Sequence, residues 1–170
     1  MIIMATKIKN DLKEEYQGIN YILTSTMRTK LLLSIYNGSK NLDDLRIELE
    51  KPSATILHGL KELENLNFVK KVQKYYQLTS NGYLLTTNMI KLIDNWYATN
   101  KNEDFWNSHD LTAIPQENLK NIYLLKNAEC ISSTTSNLSK AYNSYTKLIE
   151  NVEELKITLP IFSENHLRQI

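Results

Sequence analysis

A chain of 170 residues with 42% hydrophobic and 23% charged residues sits near the globular average, which excludes global disorder and a fibre. Four glycines and three prolines argue against a loop-rich all-β fold, and the single cysteine, Cys130, excludes an internal disulfide framework and a Cys-rich zinc site. The net charge of +1 hides an asymmetry: residues 1–90 carry 12 Lys/Arg against 9 Asp/Glu, and residues 91–170 carry 8 against 10. That is a weak basic bias toward the N-terminal end.

No apolar run reaches the roughly 18 residues of a membrane helix. Met1 to Lys13 lacks the apolar core and cleavage site of a signal peptide. A cytoplasmic location is the expectation.

In chain order, Tyr21 to Tyr36 places Ile22, Leu23, Met27, Leu31, Leu32 and Ile35 at helical spacing. Asn37-Gly38-Ser39 supplies the stop, with Gly38 in the left-handed position. Leu42, Leu45 and Leu49 form the stripe of a short second helix, and Asp43 and Asp44 suit the positive end of its dipole. Pro52 ends that helix, and Ser53 is expected to cap a third, Ala54 to Leu66, whose inward stripe is Ile56, Leu60, Leu63 and Leu66. Two helices joined by a tight turn are a helix-turn-helix.

Asn67 to Val72 and Tyr75 to Leu78 are rich in β-branched and aromatic residues and read as a hairpin around Gln73-Lys74. Thr79 or Ser80 then caps a helix running through Trp96 to about Asn100. The order helix, helix, helix, hairpin, helix is that of a winged helix.

Beyond a boundary between residues 98 and 116, Gln116 to Lys126 reads as a helix and Ala128 to Ser133 as a strand. Asn137 to Glu154 reads as a helix and Leu155 to Phe162 as a second strand. Strand, helix, strand is a βαβ unit, and two short strands are a thin core. The predicted class is therefore α+β. A winged helix-turn-helix domain (1–100) and a junction (101–115) lead into a small α/β domain (116–170) that reads as truncated.

If the third helix, 53–66, is a recognition helix, Ser53, Ala54, Thr55, Leu57, His58 and Lys61 point outward toward base edges in the major groove. Ser53 and Thr55 suit phosphates or either base type, His58 a purine acceptor, Lys61 phosphate or guanine, and Leu57 thymine methyls. Lys70, Lys71, Gln73 and Lys74 on the hairpin wing, 68–78, suit the backbone or the minor groove. Arg28 and Lys30 are candidates for added backbone contacts. Glu48, Glu50, Glu62 and Glu64 flank this surface and weaken it, which favours a homodimer on two half-sites. The same acids leave open a winged-helix protein-interaction module without DNA binding.

No catalytic set is evident. His58, His109 and His166 lack partners at metal-ligand spacing, and Cys130 falls in an expected strand as a small buried hydrophobe. There is no Gly-rich phosphate loop, so neither metal nor cofactor is expected. Trp96, Phe105 and Trp106 read as a hydrophobic interdomain or dimer seam in preference to a ligand pocket, and the helix Tyr83 to Tyr97 as a dimerisation element.

Three segments resemble archaeal winged-helix regulators: Thr29 to Ile35, Ser53 to Glu64 and Tyr76 to Gly82. The segment Asp-Phe-Trp-Asn-Ser-His-Asp-Leu-Thr-Ala-Ile-Pro, residues 104–115, resembles the junction of the archaeal methanogenesis-regulator (Fil-regulator) family. Glu129 to Asn137 and Leu159 to Phe162 fit that family's middle domain. The resemblance implies a transcription regulator, with an N-terminal domain that binds DNA and a second domain that senses an unidentified effector or dimerises. Family members continue beyond the position of Ile170. Related sensor domains resemble phospholipase D, whose chemistry needs His-x-Lys. The tripeptides here are His58-Gly-Leu, His109-Asp-Leu and His166-Leu-Arg, and none matches.

Overall fold

A computed structural model describes residues 16–150 and 152–154. The chain divides into two units, Met1–Trp96 and Tyr97–Ile170.

The described part of the first unit opens on a helical stretch, α1 (residues 16–23). The single helix expected over Tyr21 to Tyr36 is broken at Thr24-Ser25. Ser25 is extended (φ −98°, ψ 105°), and its hydroxyl accepts from the backbone N–H of Arg28, so it caps a separate helix α2 (Thr26–Tyr36). Gly38 takes φ 155° rather than the left-handed helical value expected of it.

Helix α3 (Leu42–Leu49) starts in a capping box: the Asn41 side chain accepts from Asp43 and Asp44, and the Asp44 carboxylate accepts from the Asn41 N–H. Helix α4 (Ser53–Asn65) is capped differently from expectation. Pro52 is the N-cap residue, no side chain caps it, and Ser53 is the first helical residue. Proline tolerates this place because one N–H there has no intrahelical partner to lose.

Strands β1 (Val69–Val72) and β2 (Tyr75–Leu78) pair antiparallel, with Val69 opposite Leu78 and Val72 opposite Tyr75. Their two-residue turn holds Gln73 at φ 55°, a conformation usually given to Gly or Asn. Backbone bonds between Lys40 and Tyr76, at 3.0 and 2.8 Å, tie the hairpin to the loop before α3. Helix α5 (Ser80–Lys101) is capped by Thr79, whose hydroxyl accepts from the Gly82 N–H at 3.1 Å and donates to the Asn67 carbonyl.

One core joins these pieces. Leu31, Leu32 and Ile35 of α2 meet Leu45 of α3, Ile56, Leu60 and Leu63 of α4, Val69 and Tyr76 of the hairpin, and Met89 of α5. Of the expected stripe of α4, Leu66 alone stays outside, 40% exposed.

The second unit departs further from the sequence pattern. Helix α6 (Glu103–Ser108) occupies part of the expected junction. The Gln116 to Lys126 helix is split into α7 (Gln116–Leu119) and a 3-10 turn, Ile122–Leu125. There the Asn121 amide donates to the Glu117 carbonyl in competition with the helix ladder.

Residues 128–133 form no strand, and Cys130 is exposed rather than buried. The second expected strand, 155–162, lies outside the described residues. The Ser/Thr-rich chain instead closes a turn, with Thr134 and Asn137 exchanging backbone bonds. That turn delays the next helix, so α8 spans Lys140–Ile149 rather than Asn137 to Glu154.

Candidate nucleic-acid interface

Helix α4 positions most of the candidate residues. At about 100° per residue, the buried line Ile56, Leu60, Leu63 fixes an opposite line of Ala54, His58 and Lys61. Leu57 lies on one flank and Thr55 on the other. All five are exposed, and Ser53 is half-buried. Gly59 lies on the buried side, against Leu31 and Met27 of α2.

On the Leu57 flank, the structure brings helix and wing together. A groove of about 430 Å3 is lined by Asn41, Leu42, Asp43, Leu57, Lys71, Lys74 and Tyr76. Residues on one face of a strand alternate with those on the other. Lys71 therefore shares the groove face with its buried partner Tyr76, while Lys70, paired with Gln77, falls on the opposite face of the ribbon. The Lys71 and Lys74 ammonium groups stand 5.3 and 5.5 Å from the rings of Tyr76 and Tyr75, which steers both long side chains. Gln73 is at the exposed tip. Of the two adjacent tyrosines, Tyr76 is the core residue, 4% exposed.

On the Thr55 flank, Thr55 and His58 share a second groove with Ser25, Met27, Arg28 and Glu62. Arg28, a candidate for backbone contact, is committed internally. Its Nη1 donates to Glu62 Oε2 at 2.8 Å, its Nε donates to the Tyr21 carbonyl at 3.0 Å, and its guanidinium lies 3.7 Å over the Tyr21 ring. Tyr21 Oη donates to the other Glu62 oxygen at 2.7 Å. The hydrogen bond from Tyr21, with those from Arg28, holds the Glu62 carboxyl below its ordinary range. His58 Nδ1 stands 3.6 Å from the same carboxylate. Lys30 is exposed.

The acidic flank is thus partly neutralised from within. Glu62 is satisfied by Arg28 and Tyr21, and Glu48 pairs with Lys40, whose hydrogen bond lowers its carboxyl pKa. Asn41, Leu42, Asp43 and Ser25 join the candidate surface only through the fold. Asn41 alone left a signal, its capping-box spacing to Asp44; the groove residues come from three separated segments.

In the second unit, His109 Nδ1 lies 2.7 Å from the Phe105 carbonyl and its ring 4.1 Å from the Phe105 ring, while Trp106 Nε1 donates to the Ala98 carbonyl. Among the described residues, no group of three His, Cys, Asp or Glu side chains is gathered as metal ligands would be. No described helix is long and apolar enough to cross a membrane.

Residues 16–96 match the family model of the N-terminal domain of methanogenesis regulatory protein FilR1. The chain is 21% identical over 154 residues to the methanogenesis regulatory protein FilR1 of Methanothrix harundinacea (strain 6Ac), covering 89% of this chain and 34% of that protein. It therefore spans about a third of the length of that relative. The crystal structure of T. acidophilum IdeR aligns with 70% of this chain and 52% of its own at 14% identity and a TM-score of 0.35, too low a likeness to argue from. Residues 16–96, which hold the helix-turn-helix and the two-stranded wing, are thus the part of the chain that is similar to the N-terminal domain of the methanogenesis regulatory protein FilR1.

Proposed function

We propose that the chain is a DNA-binding transcription regulator. Helix α4 (Ser53–Asn65), the expected recognition helix 53–66, enters the major groove, and the hairpin, 68–78, rests on the backbone or in the minor groove. The observation that carries this reading is the convergence of α4 and the wing: Leu57, Lys71 and Lys74 open onto one exposed groove beside the outward line Ala54, His58, Lys61. Lys71 and Lys74 supply phosphate contacts, His58 and Lys61 donate to purine acceptors, and Ser53 and Thr55 offer hydroxyls. Lys70 and Gln73 serve the strand that passes the wing tip.

The working form is a homodimer in the cytoplasm. One copy offers few free cations, and a second half-site doubles the phosphate contacts. The protein works by binding and not by catalysis.

The test is fluorescence anisotropy with a labelled duplex from the protein's own promoter region at two salt concentrations. Binding that weakens steeply with salt, and a His58→Ala/Lys61→Ala variant that keeps non-specific binding but loses sequence preference, support the reading. Absence of binding by the wild type at low salt overturns it and leaves the fold to a protein partner.

A further inference from the structure

The outward face of α4 is unusual in what it omits. Its first two and a half turns present Ser53, Ala54, Thr55, Leu57, His58 and Lys61, with no Arg, Asn or Gln. Arg is the commonest bidentate reader of guanine, and Asn and Gln are the bidentate readers of adenine. His58 and Lys61 offer donors but no such planar fork. What the face does offer is apolar surface. Ala54 is exposed on the outward line, Thr55 adds a γ-methyl, and Leu57, 41% exposed, lines the groove shared with the wing.

In the major groove, one base-pair feature is complementary to such a surface: the C5-methyl of thymine. We infer that α4 selects A·T-containing duplex by apolar contact of Leu57 and Ala54 with thymine methyl groups. This rests on the DNA-binding reading above. Leu57 is the main apolar reader beside the donors His58 and Lys61, because it is the largest apolar side chain on this face and lines the groove with Lys71 and Lys74, which fix the adjacent backbone.

The experiment perturbs the ligand first, so that it does not depend on a variant folding. Anisotropy is measured with the full chain and three alternating copolymer duplexes. One contains deoxyadenosine and thymidine. In the second, deoxyuridine replaces thymidine, which removes the methyl and keeps every hydrogen-bonding group. The third contains deoxyinosine and deoxycytidine, which keeps the minor-groove pattern of an A·T pair and also lacks the methyl.

The expected result is tightest binding to the thymidine duplex. Affinity falls about fourfold for each methyl removed from the interface, the equivalent of about 0.8 kcal/mol per buried carbon at 1.4 kcal/mol per tenfold. In Leu57→Ala, checked for folding by circular dichroism, the thymidine-to-deoxyuridine ratio falls toward one while the salt dependence is unchanged.

Salt-dependent binding that is equal for thymidine and deoxyuridine overturns this inference and leaves the DNA-binding reading intact. So does a preference that survives in both Leu57→Ala and Ala54→Gly, which assigns it to duplex shape. Equal binding of the thymidine and inosine duplexes assigns selection to the minor groove and overturns it as well. Binding to none of them overturns the DNA-binding reading itself.

Discussion

Three glycines lie inside helices of the first unit, and the structure gives each a different response to Ala. Helix propensity alone favours Ala over Gly by about 1 kcal/mol at any interior helix position. At Gly18, in α1, a Cβ meets nothing within 4 Å, so Gly18→Ala should stabilise by up to about 1 kcal/mol. At Gly59 the Cβ meets Leu31 Cδ1 at 2.8 Å and Met27 Cγ at 3.0 Å, both side-chain atoms that can rotate away. That variant should fall within about 1 kcal/mol of wild type, strain cancelling propensity.

At Gly82 the Cβ would stand 1.9 Å from the Phe68 carbonyl oxygen and 2.8 Å from its carbon. Carbon and oxygen come no closer than about 3.3 Å without strain, so the backbones must part by more than an ångström. The Phe68 carbonyl also accepts the Thr79 N–H at 3.0 Å, and Thr79 caps α5. Separation therefore costs about 1 kcal/mol for the hydrogen bond, about 1 for the cap and about 1–3 for overpacking. Against the propensity gain the net loss is about 2–4 kcal/mol. Thermal and urea unfolding followed by circular dichroism should rank the variants Gly18→Ala above Gly59→Ala above Gly82→Ala. The last should melt about 10–20 °C below wild type. A Gly82→Ala protein as stable as wild type refutes the close approach of α5 to Phe68 on which the hairpin's seating depends.

Replacing Lys70, Lys71 and Lys74 with Ala should lower the slope of log affinity against log salt by about 0.9 for each phosphate left unneutralised, across all sequences alike; an unchanged slope removes the wing from the interface. Gln73→Gly relieves a φ of 55° and should raise stability by up to about 1 kcal/mol in urea unfolding, and a drop in stability there refutes the strained turn. Glu62 has its folded pKa held below the ordinary value near 4.5 by the Tyr21 hydroxyl and Arg28. The stability it contributes is therefore complete above that value and disappears as pH falls through the folded pKa. The melting-temperature gap between wild type and Glu62→Gln should be widest near neutral pH and close in acid, and a gap independent of pH refutes the pairing.

The parts legible in the sequence are those fixed by local rules. Stripes such as Ile56, Leu60, Leu63 need only a helical period, and Asn41 with Asp44 needs only three-residue spacing, so three helices, hairpin and helix follow from the chain order. Ser25 shows where that logic stops. A serine inside an apolar periodic run reads as a tolerated helix residue, and only its extended backbone makes it a cap. Ser53 departs in the reverse sense, because Pro52 takes the cap position itself. The strand expected at Ala128 to Ser133 is not formed, and a period-2 apolar pattern does not by itself supply the ladder partner that a strand requires. The outward residues of α4 are readable because inward and outward are complementary on a helix. The groove they share with Lys71, Lys74 and Asn41 is not, because it is made by loop closure across more than thirty residues.

These features together constrain how such a surface would discriminate. A strongly basic surface gains most of its affinity from phosphates and little information with it. Here Arg28 is engaged by Glu62 and Tyr21, and Lys40 by Glu48, so two of the three cations of α2 and its following loop serve the fold, and Lys30 stays exposed. What remains outward is a few lysines around an apolar strip. On the proposed DNA-binding reading, the sequence-independent term for one copy is then small, and a larger share of the binding energy would come from base edges and from the proposed second copy on a second half-site. In a genome with many competing sites, a protein built this way gains selectivity from what it leaves uncharged.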